Sequence, residues 1–155
     1  METSTQTDRI EKKILLRAPR ARVWQSISNA REFGQWFGVN LEGTFRPKAV
    51  LRGKVTNPGY EHLTMEITVE EMQPEGKISW RWHPGAVDPA KDYSREPTTL
   101  VTFQLDDAPG GTLLTMVESG FDALPADRRA EAYRENDGGW TEQLQNIERH
   151  IRALS

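Results

Sequence analysis

The sequence predicts an α+β domain in which an antiparallel sheet lies against one long C-terminal helix. Three observations predict it: an apolar alternation of period two through the middle of the chain, turn residues that punctuate it at short intervals, and a return to a helical period after Phe121. The 155 residues suit a single domain that can bury its own core without a metal or a disulfide. We assign residues 1–8, all polar after the initial Met, to a flexible tail and residues 9–155 to the domain.

Taken in order, Ile10, Ile14 and Leu16 share one face of an extended run, and Pro19 turns Ala18 away from helical geometry, so a first strand ends there. PRARVWQSIS then begins a helix with Pro19 at its first position and Val23, Trp24 and Ile27 in one sector, broken by Asn29 or Gly34. AREFGQWFG spaces Phe33, Trp36 and Phe37 at three- and four-residue offsets and predicts a second short helix or turn. From residue 41 to residue 120 turn signals at Gly43, Pro47, Asn57-Pro58-Gly59, Pro74-Glu75-Gly76 and Pro109-Gly110-Gly111 divide a meander of strands. Leu63, Met65, Ile67 and Val69 form the inner face of one strand, Ile78, Trp80 and Trp82 of the next, then Val101, Phe103 and Leu105, then Leu114 and Met116. Counting on by two places Glu118 on that inner face.

After Pro125, the residues Tyr133, Asn136, Asp137, Trp140, Leu144, Ile147, Ile151 and Leu154 make one stripe of a helix that would be about 45 Å long at 1.5 Å per residue. Gly138 and Gly139 interrupt its propensity, which predicts a kink or a close approach there. HPGAVDPAKDYSREP is the one long irregular piece and is expected to be a mobile loop.

Composition excludes several functions. With 20 Lys plus Arg against 23 Asp plus Glu, the chain has no basic excess to drive nucleic-acid binding. No apolar run approaches the roughly 20 residues of a membrane span, so no membrane insertion is expected. The absence of cysteine removes disulfides, thiolate metal sites, catalytic thiols and iron–sulfur ligation, and fits a cytoplasmic protein. His62, His83 and His150 form no metal-ligand spacing, so no metal and no cofactor are expected; His83 reads as a strand-end side chain near the loop mouth. ESGFD is not a nucleophile elbow, and the glycines fit no phosphate-binding fingerprint.

What remains is a candidate pocket. Glu118 is a carboxyl aimed into an apolar interior, open to three readings: a paired or solvated strand-end carboxylate, a ligand anchor, or a general acid/base. Asn136 and Asp137 either meet a ligand from the helix or cap a local break beside the two glycines. Trp36, Phe37, Trp80, Trp82, Phe103, Phe121, Tyr133 and Trp140, with Met65 and Met116, supply a greasy lining or ordinary core.

The segments APRARVWQSIS, FGQWFG, ISWRWHP, ESGFD and GGWTEQLQNIERHI, in this order, resemble the START/Bet v 1-like (SRPBCC) superfamily. Within it they resemble the C-terminal domain of the activator of the heat-shock-protein-90 ATPase, the AHSA-like family. The resemblance covers approximately residues 9 to 154 and implies a helix-grip fold, a curved sheet and long helix enclosing an apolar cavity. Members bind lipids, hormones or polyketides, some transform their ligands, and some act in stress responses or beside chaperones. Fold alone does not choose among these. The expectation is binding of a small hydrophobic or aromatic molecule between sheet and helix. The alternatives are a co-chaperone-like stress-response interaction protein, with a chaperone or a second copy as partner, and, behind both, a cyclase- or hydrolase-type enzyme using Glu118.

Overall fold

The computed structural model describes residues 9–84, 92 and 95–153. The expected tail, Leu154 and most of the irregular loop lie outside the described residues. The elements are β1 (Arg9–Leu16), α1 (Arg20–Ser28), α2 (Ala30–Phe37), β2 (Val39–Glu42), β3 (Val50–Val55), β4 (Thr64–Gln73), β5 (Lys77–Trp82), β6 (Thr99–Ala108), β7 (Gly111–Ser119), a single 3-10 turn (Phe121–Ala123) and α3 (Ala126–Ala153). The seven strands form one antiparallel sheet in the order β1-β7-β6-β5-β4-β3-β2, with α3 packed on its inner face. The α+β helix-grip expectation is met.

Local chemistry accounts for the helix pair. Pro19 is the residue before α1, with φ −68° and ψ 159°, one position outside the helix where the sequence placed it. Its missing N–H costs nothing at a helix start, and its carbonyl accepts from Arg22 and Val23. Asn29 ends α1 and begins α2, its side chain accepting from the Glu32 N–H at 3.0 Å. Gly34 sits within α2 because a Cβ there would lie 2.1 Å from the Val39 carbonyl oxygen, so β2 can fold directly back on the helix.

The meander keeps the predicted alternation. Met65, Ile67, Val69, Ile78, Trp80, Val101, Phe103, Leu105, Leu114 and Met116 are all buried. Leu63 falls just before β4, although its carbonyl still accepts from Val55. A register shift between Val69 and Glu71 places a bulge in β4, the device by which a sheet bends. The helix α3 runs unbroken through Gly138 and Gly139, and a Cβ on either would meet nothing within 4 Å. The expected close approach at these glycines is therefore absent.

Candidate functional site

Strand register assembles the site. Trp82 at the end of β5 lies opposite Thr99 at the start of β6, and Glu118 of β7 lies between Val101 of β6 and Ile10 of β1. Side chains two apart share a face, so Thr99, Trp82 and Glu118 converge at one end of the inner surface. From above, α3 brings Asn136 and Trp140, one helical turn apart.

Glu118 is fully buried, and four side chains donate to it. Trp140 Nε1–H reaches Oε1 at 2.8 Å, Trp82 Nε1–H reaches Oε2 at 2.8 Å, Thr99 Oγ1–H reaches Oε2 at 2.6 Å, and Asn136 Nδ2 spans both oxygens at 3.0 and 3.1 Å. Three of the four are N–H groups, which only donate, so the set suits an acceptor that is oxygen on both sides. Among the described residues, Oε1 receives Trp140 and Asn136, and Oε2 receives Trp82, Thr99 and Asn136. What the carboxyl does is fix the orientation of two indoles and one amide.

Around this knot the aromatic residues form one continuous cluster. Phe37, Trp82 and Trp140 are mutual neighbours, with ring centroids 6.0–6.1 Å apart. Trp80 packs edge-on to Trp82 at 5.1 Å, and Phe103, Trp36, Phe33 and Phe45 extend the cluster beneath them. Trp36 spends its N–H on the Ser26 carbonyl at 2.8 Å, whereas the buried Trp80 Nε1 has no partner. Met116 sits beside Phe103 across the β6–β7 pair, and Met65 lies farther along the sheet beside Gly53.

Two predicted members stand apart. Phe121 and Tyr133 pair with each other at 5.2 Å, and the Tyr133 hydroxyl donates to the Arg9 carbonyl at 3.1 Å. Asp137 binds Lys12 at 3.1 Å with its side chain half exposed, so it does not join Asn136 at Glu118. His83 donates to the Glu96 carbonyl at 3.1 Å, and the same loop end is tied to α3 by a two-point Arg128–Glu96 ion pair and by Arg128 donating to the Pro84 carbonyl.

Two participants escaped sequence reasoning. Thr99 adjoins the irregular loop and is polar; counting back by two from Val101 was the available signal, and its pairing with Trp82 shows its place. Gln143 lies one helical turn beyond Gly139, and its amide donates to the Phe37 carbonyl at 3.0 Å, locking α2 to α3. Its i, i+3 spacing from Trp140 was the available signal.

The interior is largely filled. The opening over the cluster is a cleft of about 120 Å³ lined by Phe37, Trp82, Asn136, Gly139, Trp140, Glu142 and Gln143. This is smaller than the few hundred Å³ usual for a ligand pocket, the size expected for a cavity between sheet and helix. A larger concavity of about 710 Å³ follows α2 and β2 on the outside, away from Glu118. Among the described residues no group of His, Asp and Glu could hold a metal ion, and no helix is long and apolar enough to cross a membrane.

Known proteins share this architecture. Protein MLL2253 of Mesorhizobium loti is similar with TM-score 0.75 at 20% identity, over 95% of this chain and 98% of that one. Protein NE0264 of Nitrosomonas europaea is similar with TM-score 0.77 at 15% identity, over 99% and 100% of the two chains. The solution structure of the Aha1 dimer from Colwellia psychrerythraea is similar with TM-score 0.69 at 14% identity, over 92% and 95%. At these identities the likeness establishes the fold. No curated protein matches significantly. The family described as Activator of Hsp90 ATPase homolog 1-like protein matches residues 17–152, nearly the whole domain, and this chain belongs to that family.

Proposed function

We propose that the protein binds a small, single-ring or similarly compact molecule in the cleft over Phe37, Trp82 and Trp140. The observation that carries this reading is the opening itself: it is walled by three aromatic rings, two of which Glu118 holds in place by their N–H groups. An apolar void of about 150 Å³ is known to accept benzene, so a cleft of about 120 Å³ sets the scale of the occupant. Binding would come from burial of apolar surface against the rings. Glu118 acts as a positioning residue that pre-organises the wall. The cysteine-free composition fits a cytoplasmic setting.

The test is titration of ¹⁵N-labelled protein with single-ring fragments such as toluene, phenol and benzyl alcohol, following the five indole N–H resonances. The Trp82 and Trp140 signals are expected to move while Trp24 and Trp36 stay still. Movement of no indole, or of Trp24 and Trp36 first, overturns the reading. The family's name supports a second reading, a chaperone-linked role carried by the exterior. Stimulation of the host's heat-shock ATPase by the purified protein, undiminished by a Trp82→Leu change, would favour it.

A further inference from the structure

The polar atoms of the cleft are divided unequally. Both indole N–H groups in its wall are already committed to Glu118, from Trp82 and Trp140, and the amides of Asn136 and Gln143 each donate, to Glu118 and to the Phe37 carbonyl. The acceptors are not. Among the described residues neither the Asn136 carbonyl oxygen nor the Glu142 carboxylate at the exposed rim has a hydrogen-bond or ion-pair partner, and Glu142 is the one charged residue among the lining. A ligand entering this cleft finds a carboxylate, π faces and no cationic side chain.

Charge points the same way. Glu118 is buried among neutral donors, with no Lys, Arg or His paired to it among the described residues. Lys12, which reaches toward α3 from β1, is occupied by Asp137 at 3.1 Å. A carboxylate drawing on the N–H of an indole also enriches that indole's π face, the feature that attracts cations. Trp82 and Trp140 are both so enriched, and both face the cleft.

We infer that the occupant is a small organic cation, an aryl- or alkylammonium whose N–H groups meet the free acceptors and whose charge lies over the indoles. This rests on the reading of the cleft as a ligand site and narrows its ligand class.

The experiment compares three near-isosteric probes, benzylammonium, benzyl alcohol and benzoate, by calorimetry and by indole N–H shifts at neutral pH. Benzylammonium is expected to bind at least tenfold more tightly than benzyl alcohol, and benzoate least. Glu142→Gln, a change at an exposed position that leaves the fold intact, is expected to reduce the preference several-fold. If benzyl alcohol binds as well as benzylammonium, or benzoate binds better, the inference about charge is overturned while the cleft remains a ligand site. If none of the three binds and the neutral fragments also move no indole, the ligand reading itself falls and takes this inference with it.

Discussion

The two halves of α3 are held in the molecule by different physics. Toward its C-terminus the contact is made by Leu144, Ile147 and Ile151, all buried aliphatic side chains without a polar atom among them. Toward its middle it is made by Asn136 and Trp140, which hydrogen-bond to a fully buried carboxyl. An aliphatic seam tolerates small shifts in side-chain position, because dispersion and burial have little directional preference. The Glu118 knot does not, since every donor left without its acceptor costs free energy. The difference marks where the molecule keeps geometry and where it keeps only cohesion, and the cleft opens beside the first.

The sharpest way to break this contrast is Glu118→Ala. It strands the buried Trp140 N–H and Thr99 hydroxyl and the half-buried donors of Trp82 and Asn136, and we expect a loss of about 4 kcal/mol in urea unfolding, with altered emission from Trp82 and Trp140. A loss below about 1 kcal/mol would show the knot to be dispensable. In the aliphatic half, Ile147→Ala is expected to cost about 3 kcal/mol and to leave the indole environments and fragment binding unchanged. If it instead disturbs Trp140, the two halves are one unit.

The C-terminal half has one charged tether of its own, where Glu32 of α2 receives Arg22 of α1 and His150 of α3, both at 3.0 Å. Burial pushes the Glu32 carboxyl up, but the hydrogen bonds from His150 and Arg22 and their charges together outweigh burial and hold it below its ordinary range. A carboxyl depressed on folding adds stability above its unfolded value, and that stability is lost as pH falls through the folded value. Glu32→Gln is therefore expected to cost about 1 kcal/mol at neutral pH and nearly nothing in strong acid, as read from unfolding curves across pH. An equal cost at both extremes would deny the ionic origin.

The smallest effect concerns the glycines beside the knot. Gly138→Ala is expected to stabilise by about 1 kcal/mol, because the site is helical and open. Gly139→Ala should gain the same stability while weakening fragment binding, because Gly139 lines the cleft and its neighbour does not. Equal binding by the two variants would move the ligand away from this wall.

Much of this was legible before any coordinates. Period-two spacing placed Trp80, Trp82 and Phe103 on one face, and the same count carried past Met116 to Glu118. The helical period set Asn136 beside Trp140 but put Asp137 in the same stripe, because angular position alone does not record which neighbour a side chain finds; Lys12 on the opposing strand decided that. Nor does periodicity measure depth. Phe33 and Phe45 are buried deep in the aromatic cluster, and the opening that remains over it is about 120 Å³. The closure of Glu118 by four donors depends on the register that sets Trp82 against Thr99, a long-range fact that no local pattern carries.

The position of β1 beside β7 has a consequence in time. Leu16 pairs with Thr112, so the first strand made waits about 100 residues for its partner, roughly 5–20 s at ordinary rates of synthesis. Through that interval Ile10 and Leu16, both buried in the finished sheet, lack their partner strand, while β2 to β6 each pair with the strand next in sequence. The last events are the arrival of β7 and then α3, which close the first strand and the Glu118 knot within a few dozen residues of each other. Slow, long-range closure of this kind limits folding by the search for distant contacts. The segment that shapes the cleft is thus also the one that closes the sheet around β1.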